Sequence, residues 1–142
     1  MPEFFQTTLD QRRWLASQAL PHLLNADAVW SAVEENGPLP PFVLRSGRVI
    51  YHAPQDEPEY LFWETFVSGS YFDHEFYSPR RGNIVLDCGA NVGFFALWLS
   101  ALSPGVRIHC FEPASDARAR LALNIASNEL SDRLSTVPTL VE

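Results

Sequence analysis

Residues 84–112, IVLDCGANVGFFALWLSALSPGVRIHCFE, decide how the rest of the chain is read. The aliphatic run 84–86 stops at a glycine-containing turn, the pattern of a strand buried on both faces. Residues 92–102 are apolar around nearly the whole helical circumference, which predicts a helix covered on more than one side. Pro104-Gly105 stops it. Residues 106–111 form a second strand, and Ser115 caps a helix running to about residue 130. A third strand is expected over 134–141. The order β-α-β-α-β with short connections requires parallel strands joined by right-handed crossovers. Pro138 sits inside the last strand and cannot donate to a ladder on both sides, so that strand belongs at a sheet edge, as in a 3-2-1 order.

Working outward from this unit, residues 1–80 read as a lead segment of mixed structure and 81–142 as part of an α/β domain. Residues 8–20 predict a short helix with a loose stripe of Leu9, Leu15, Ala16, Ala19 and Leu20, ended by Pro21. Residues 27–35 predict another, followed by the connector GPLPP at 37–41. PFVLRSGRVIYH then offers two brief strands around a Ser46-Gly47 turn. Residues 59–67 read as helical, with Tyr60, Trp63 and Val67 on one face. Trp14, Trp30, Trp63 and Trp98 are expected in the core.

The 142 residues suffice for one modest core, and 46% hydrophobic content argues for a folded chain. A formal net charge of −7 with no basic run disfavours nucleic acid as a partner, because such binding depends on neutralising phosphates. Residues 1–30 lack a signal-peptide pattern, and no apolar run is long enough to span a bilayer. A cytoplasmic address with no membrane partner is expected. Cys88 and Cys110 fall in predicted strands and read as buried small hydrophobes in a reducing compartment. His22, His52 and His109 are isolated, so no metal site is expected. Asn124 and Asn128, one turn apart on the last helix, read as a surface face or a local cap.

The chemistry lies in the turn Asp87-Cys88-Gly89-Ala90-Asn91-Val92-Gly93 and in Glu112. Gly89 lets the backbone turn sharply and lets a ligand approach the main chain. The following helix directs N–H groups and positive dipole into the same crevice. Glu112 ends the second strand about 20 residues beyond the glycines, where a carboxylate can accept from a ribose diol. The turn is not GxGxxG: Asn91 stands where a pyrophosphate needs the backbone bare. Asp87 also repels pyrophosphate and favours a cationic ligand. A sulfonium cofactor suits these residues better than a dinucleotide, and a nicotinamide-linked oxidoreductase is the weaker reading.

VLDCGANVGFF followed by HCFEP resembles the FkbM family of S-adenosylmethionine-dependent methyltransferases, with its D-x-G-A-N-x-G loop and F-E-P after the second strand. The resemblance covers about residues 60–142. It implies a Rossmann-like class I methyltransferase fold with a sheet of about seven strands, of which this chain has room for strands 1–3. It implies S-adenosylmethionine as cofactor, with Asp87, Gly89, Asn91 and Gly93 along its amino-acid end and Ala90 in the same binding loop. Glu112 would take the ribose, while Pro113 and Ala114 would sit beside the adenine. Methylation of a hydroxyl on a small molecule or glycan follows from the same likeness. No catalytic base is singled out, since Asp73, His74 and Glu75 read as a solvated turn. A fold represented by its first strands leaves an apolar strand edge bare. The expectation is therefore a transferase represented by its N-terminal part. The alternative is a truncated, non-catalytic fragment that associates with another chain, with self-association through the sheet edge as one route.

Overall fold

Three parallel strands, β3 (Ile84–Cys88), β4 (Arg107–Phe111) and β5 (Leu134–Val137), stand in the order β3-β4-β5. The computed structural model describes residues 8–71 and 78–139. The register pairs Asp87 with Cys110 and Cys110 with Thr136, and the crossovers are α4 (Phe94–Leu102) and α5 (Ser115–Ser127). β5 stands at an edge, as expected, but it ends at Val137, before Pro138, rather than running through it. Ser115 is the first residue of α5 rather than its cap; Ala114 holds the capping position without a side-chain bond.

Strand side chains alternate between faces. On one face Ile108, Cys110 and Leu134 are buried in a core with Leu97, Leu99, Leu121 and Ile125 of α4 and α5. On the other, Ile84 and Leu86 are each 61% exposed and Cys88 is exposed too. β3 is therefore not buried on both faces among the described residues, and Cys88 is not the core hydrophobe expected. A continuous apolar run reports that both faces are apolar, not that both are covered.

The lead segment holds α1 (Leu9–Ala19), α2 (Ala26–Glu34), the hairpin β1 (Phe42–Val43) and β2 (Val49–Ile50), and α3 (Pro58–Phe62). Thr8 and Gln11 form a capping box on α1: each side chain bonds the other's backbone N–H. Gly47, at φ +87°, turns the hairpin in register Phe42↔Ile50. After α3 the chain takes one π turn, Trp63–Val67, closed by Ser68 N–H donating to the Trp63 carbonyl at 2.8 Å. Phe62 and Thr65 are the buried residues here, not the Tyr60-Trp63-Val67 face. Trp63 instead meets the exposed rings of Trp14 and Tyr60, each at 6.0 Å between centroids. None of the four tryptophans is fully buried, and Trp14 is 51% exposed.

Buried amides join the two halves. Asn124, 0% exposed, accepts from Tyr51 N–H at 2.7 Å and donates to the Tyr51 and Val92 carbonyls. Asn128 accepts from Val49 N–H and donates to its carbonyl, at 2.9 and 2.8 Å. The two amides satisfy the outer edge of β2 as a neighbouring strand would, so they are not a surface face. Asn128 also holds the C-terminal cap position of α5 and donates to the Asn124 carbonyl, as the local-cap alternative expects. Beside them, Arg120 forks onto buried Asp56 with two bonds of 2.7 Å. Arg48 donates to Leu97 O and Ser100 Oγ.

Candidate cofactor site

The loop after β3 takes a left-handed residue at every second position: Gly89 at φ +83°, Asn91 at +50° and Gly93 at +101°. Asparagine is among the few non-glycine residues that adopt this region readily, which accounts for Asn91 in a glycine-like position. The two glycines serve different ends. A Cβ on Gly93 would lie 2.8 Å from Leu121 Cδ1, so Gly93 permits α4 to pack on α5. A Cβ on Gly89 would meet nothing within 4 Å, and the backbone there faces open space.

That space is a cleft of about 270 Å³. Asp87, Gly89, Ala90 and Asn91 form one wall, Phe94 and Phe95 the start of α4, and Leu61, Glu64, Thr65 and Tyr71 the wall opposite. The last group comes from the lead segment, which the sequence reading left out of the site. The only sequence signal for it was the aromatic density of residues 60–71. None of the described residues lining the cleft is a lysine or arginine.

Asp87 is the unusual group. Its Oδ2 is buried with no hydrogen-bond partner among the described residues. Burial, and then the charge of Glu112, push its pKa up from 3.8 to about 6. Burial, and then the charge of neighbouring Asp87, raise the Cys110 thiol to about 12 and keep it an inert core residue.

Glu112 is buried rather than splayed toward a ligand. Its Oε2 accepts Asn91 N–H at 2.8 Å and its Oε1 accepts Ala114 N–H at 2.9 Å, tying the loops after β3 and β4 together. Each oxygen keeps a further lone pair. Gly89 and Ala90 both donate to the Phe111 carbonyl, at 2.9 and 3.0 Å. The N–H groups of Gly89, Ala90 and Asn91 are thus used within the protein. Gly93 and Glu112 do not line the cleft, and Pro113 and Ala114 lie exposed beyond β4. Asp73, His74 and Glu75 fall outside the described residues. His109 bonds Ser135 Oγ at 2.7 Å on the open sheet face, and His52, its pKa lowered by burial, bonds the Pro40 carbonyl. Among the described residues no group of His, Cys, Asp and Glu is arranged to hold a metal ion. No helix there is long and apolar enough to cross a membrane.

No family model matches the chain. It is 34% identical over 91 residues to the 31-O-demethyl-FK506 methyltransferase FkbM of Streptomyces tacrolimicus, covering 64% of this chain and 35% of that protein. The chain is FkbM-like. It is also 30% identical over 101 residues to methyltransferase sdnD of Sordaria araneosa, covering 70% of this chain and 37% of that one. With the AMB antimetabolite synthetase AmbE of Pseudomonas aeruginosa it shares 33% over 100 residues, 70% of this chain but 4% of that protein. This FkbM-like chain therefore spans about a third of the length of FkbM and sdnD. Among solved structures, methyltransferase FkbM from Methylobacillus flagellatus superposes with a TM-score of 0.43 at 16% identity, over 89% of this chain and 32% of that one. The StiE O-MT superposes at 0.40 and 10% identity, over 94% and 44%.

Proposed function

We propose that the chain carries the cofactor side of an S-adenosylmethionine-dependent methyltransferase acting on a hydroxyl of a small molecule or glycan. The observation that supports this most is Asp87, which lines a cleft with no basic residue among the described ones and whose Oδ2 is a buried acceptor without a donor among them. A ligand that brings an N–H relieves the cost of such an atom. The ammonium of the cofactor's amino-acid end does so, and its charge holds the Asp87 carboxyl ionised at neutral pH. Gly89 leaves room for close approach to the main chain. In this reading Glu112 presents its remaining lone pairs to the ribose, with Pro113 and Ala114 beside the adenine.

The same features disfavour a dinucleotide. Asp87 repels a pyrophosphate, and the N–H groups of Gly89, Ala90 and Asn91, which would cradle one, are already engaged. When bound, S-adenosylmethionine supplies an electrophilic methyl group for in-line displacement by a hydroxyl oxygen. This chain's contribution is to bind, orient and exclude water around it.

Calorimetric titration tests the proposal. Measurable affinity for S-adenosylmethionine, reduced at least about tenfold in Asp87→Ala, with no heat from NAD, is the expected result. NAD binding without S-adenosylmethionine binding would overturn it in favour of an oxidoreductase. Binding of neither would leave a non-catalytic chain that associates with another.

A further inference from the structure

The cleft presents two carboxylates in different surroundings. Asp87 lies at the end of β3 with an oxygen shut off from water. Glu64 reaches the cleft from the opposite wall, on the π turn of the lead segment, and its side chain is only partly buried. Beside it Tyr71 lines the same wall, its ring 4.7 Å from Phe95 and 5.8 Å from Trp98. Burial raises the Tyr71 phenol above its ordinary pKa, and the charges of Glu64 and Asp87 raise it further, so the ring is within electrostatic reach of both.

The chemistry of the cofactor divides between these walls. An orphaned acceptor is satisfied only by a donor, so Asp87 suits the ammonium. A sulfonium has three carbon substituents and no N–H or O–H, so it cannot serve Asp87 Oδ2 in that way. It is recognised by aromatic faces and by nearby unpaired negative charge. Tyr71 and Glu64 supply that combination. π turns inserted in helices are frequently functional, and this one sets the register that faces Glu64 to the cleft while Phe62 stacks on Phe66 at 4.6 Å on the core side.

We propose that Glu64 and Tyr71 form the sulfonium-recognising wall of the site, so that the lead segment is a working part of the methyl-donor pocket. This rests on the S-adenosylmethionine reading above.

S-adenosylhomocysteine keeps the ammonium and lacks the sulfonium charge, and so separates the two walls. Glu64→Gln is expected to weaken S-adenosylmethionine about tenfold and to leave S-adenosylhomocysteine within about twofold, on the scale of one close charge lost from a partly desolvated cation. Asp87→Asn is expected to weaken both. A ligand-free readout accompanies binding: ultraviolet titration of the tyrosines in Glu64→Gln, with Tyr71→Phe to assign the signal, is expected to show the Tyr71 phenol ionising at lower pH than in the wild type. If Glu64→Gln weakens both ligands equally, weakens neither, or leaves the Tyr71 titration in place, the inference is wrong while the S-adenosylmethionine reading stands. If the wild type binds neither ligand, both fall together.

Discussion

The two faces of the three-stranded sheet both carry large apolar residues from the strands and end in opposite surroundings. Ile108, Cys110 and Leu134 lie under α4 and α5, and over those helices lies the lead segment, held by Asn124, Asn128 and Arg120. At alternate positions of β3, Ile84, Leu86 and Cys88 look outward and are exposed. Asp87 belongs to the covered face, and that placement is what makes its carboxyl unusual. On the open face the same carboxyl would be hydrated and unremarkable in its pKa. What a side chain does here depends less on its type than on which side of the pleat it occupies.

The contrast is broken most severely in the covered layer. Ile108→Ala should lower the stability to denaturant by about 2–5 kcal/mol, because it empties a fully enclosed site, while Leu86→Ala should cost under about 1 kcal/mol. Equal losses in urea unfolding would mean that both faces are covered in solution.

A smaller effect sharpens the account of Asp87. Its folded-state pKa is raised from 3.8 to about 6, so the neutral form is the one the fold favours. The corresponding stability is fully present below about pH 4 and is lost as pH rises through about 6. At neutral pH the ionised carboxyl therefore costs up to about 3 kcal/mol, from 1.36 kcal/mol per pKa unit. Asp87→Asn should be more stable than the wild type near pH 7.5 and close to it near pH 4, measured by chemical denaturation without ligand. A stability difference independent of pH would show that the carboxyl is hydrated after all. A gain in stability coupled to loss of cofactor affinity is the usual mark of a group kept for binding.

The smallest change in stability is expected on the open face. β3 has no partner along its outer edge among the described residues, and its exposed side chains are large and apolar. We expect concentration-dependent self-association through this edge, and Leu86→Lys should suppress it while changing the unfolding free energy by less than about 1 kcal/mol. Sedimentation of the wild type as a monomer at high concentration would remove the edge as an interface.

Much of this architecture is legible along the chain. The β-α-β-α-β order, the place of β5 at the edge, the Ser46-Gly47 hairpin and the start of α1 all follow from periodicity, proline and turn residues. These signals act within a few residues. The loop's role as a turn is equally local, since Gly89, Asn91 and Gly93 mark the left-handed positions themselves. Asn124 and Asn128 show the opposite case: two polar residues one turn apart look like a solvated helix face until Val49 and Tyr51, 79 and 73 residues away, are seen to need their amides. The fork of Arg120 on Asp56, 64 residues apart, is hidden for the same reason. Glu64 and Tyr71 have no motif to announce them.

By itself the sequence determined the order and direction of the strands, the special backbone of residues 87–93, and the likeness to FkbM that this backbone carries. Each is written in neighbouring residues, where steric limits on φ and the alternation of side chains leave few alternatives. The tertiary structure alone decided which face of the sheet is covered, which of the two glycines faces open space, and that Glu112 binds loops together while Asp87 Oδ2 is left without a donor among the described residues. It also decided that the lead segment supplies part of the cleft's lining. Burial and hydrogen-bond partnership are properties of pairs distant in sequence, and they come into being only when the layers pack.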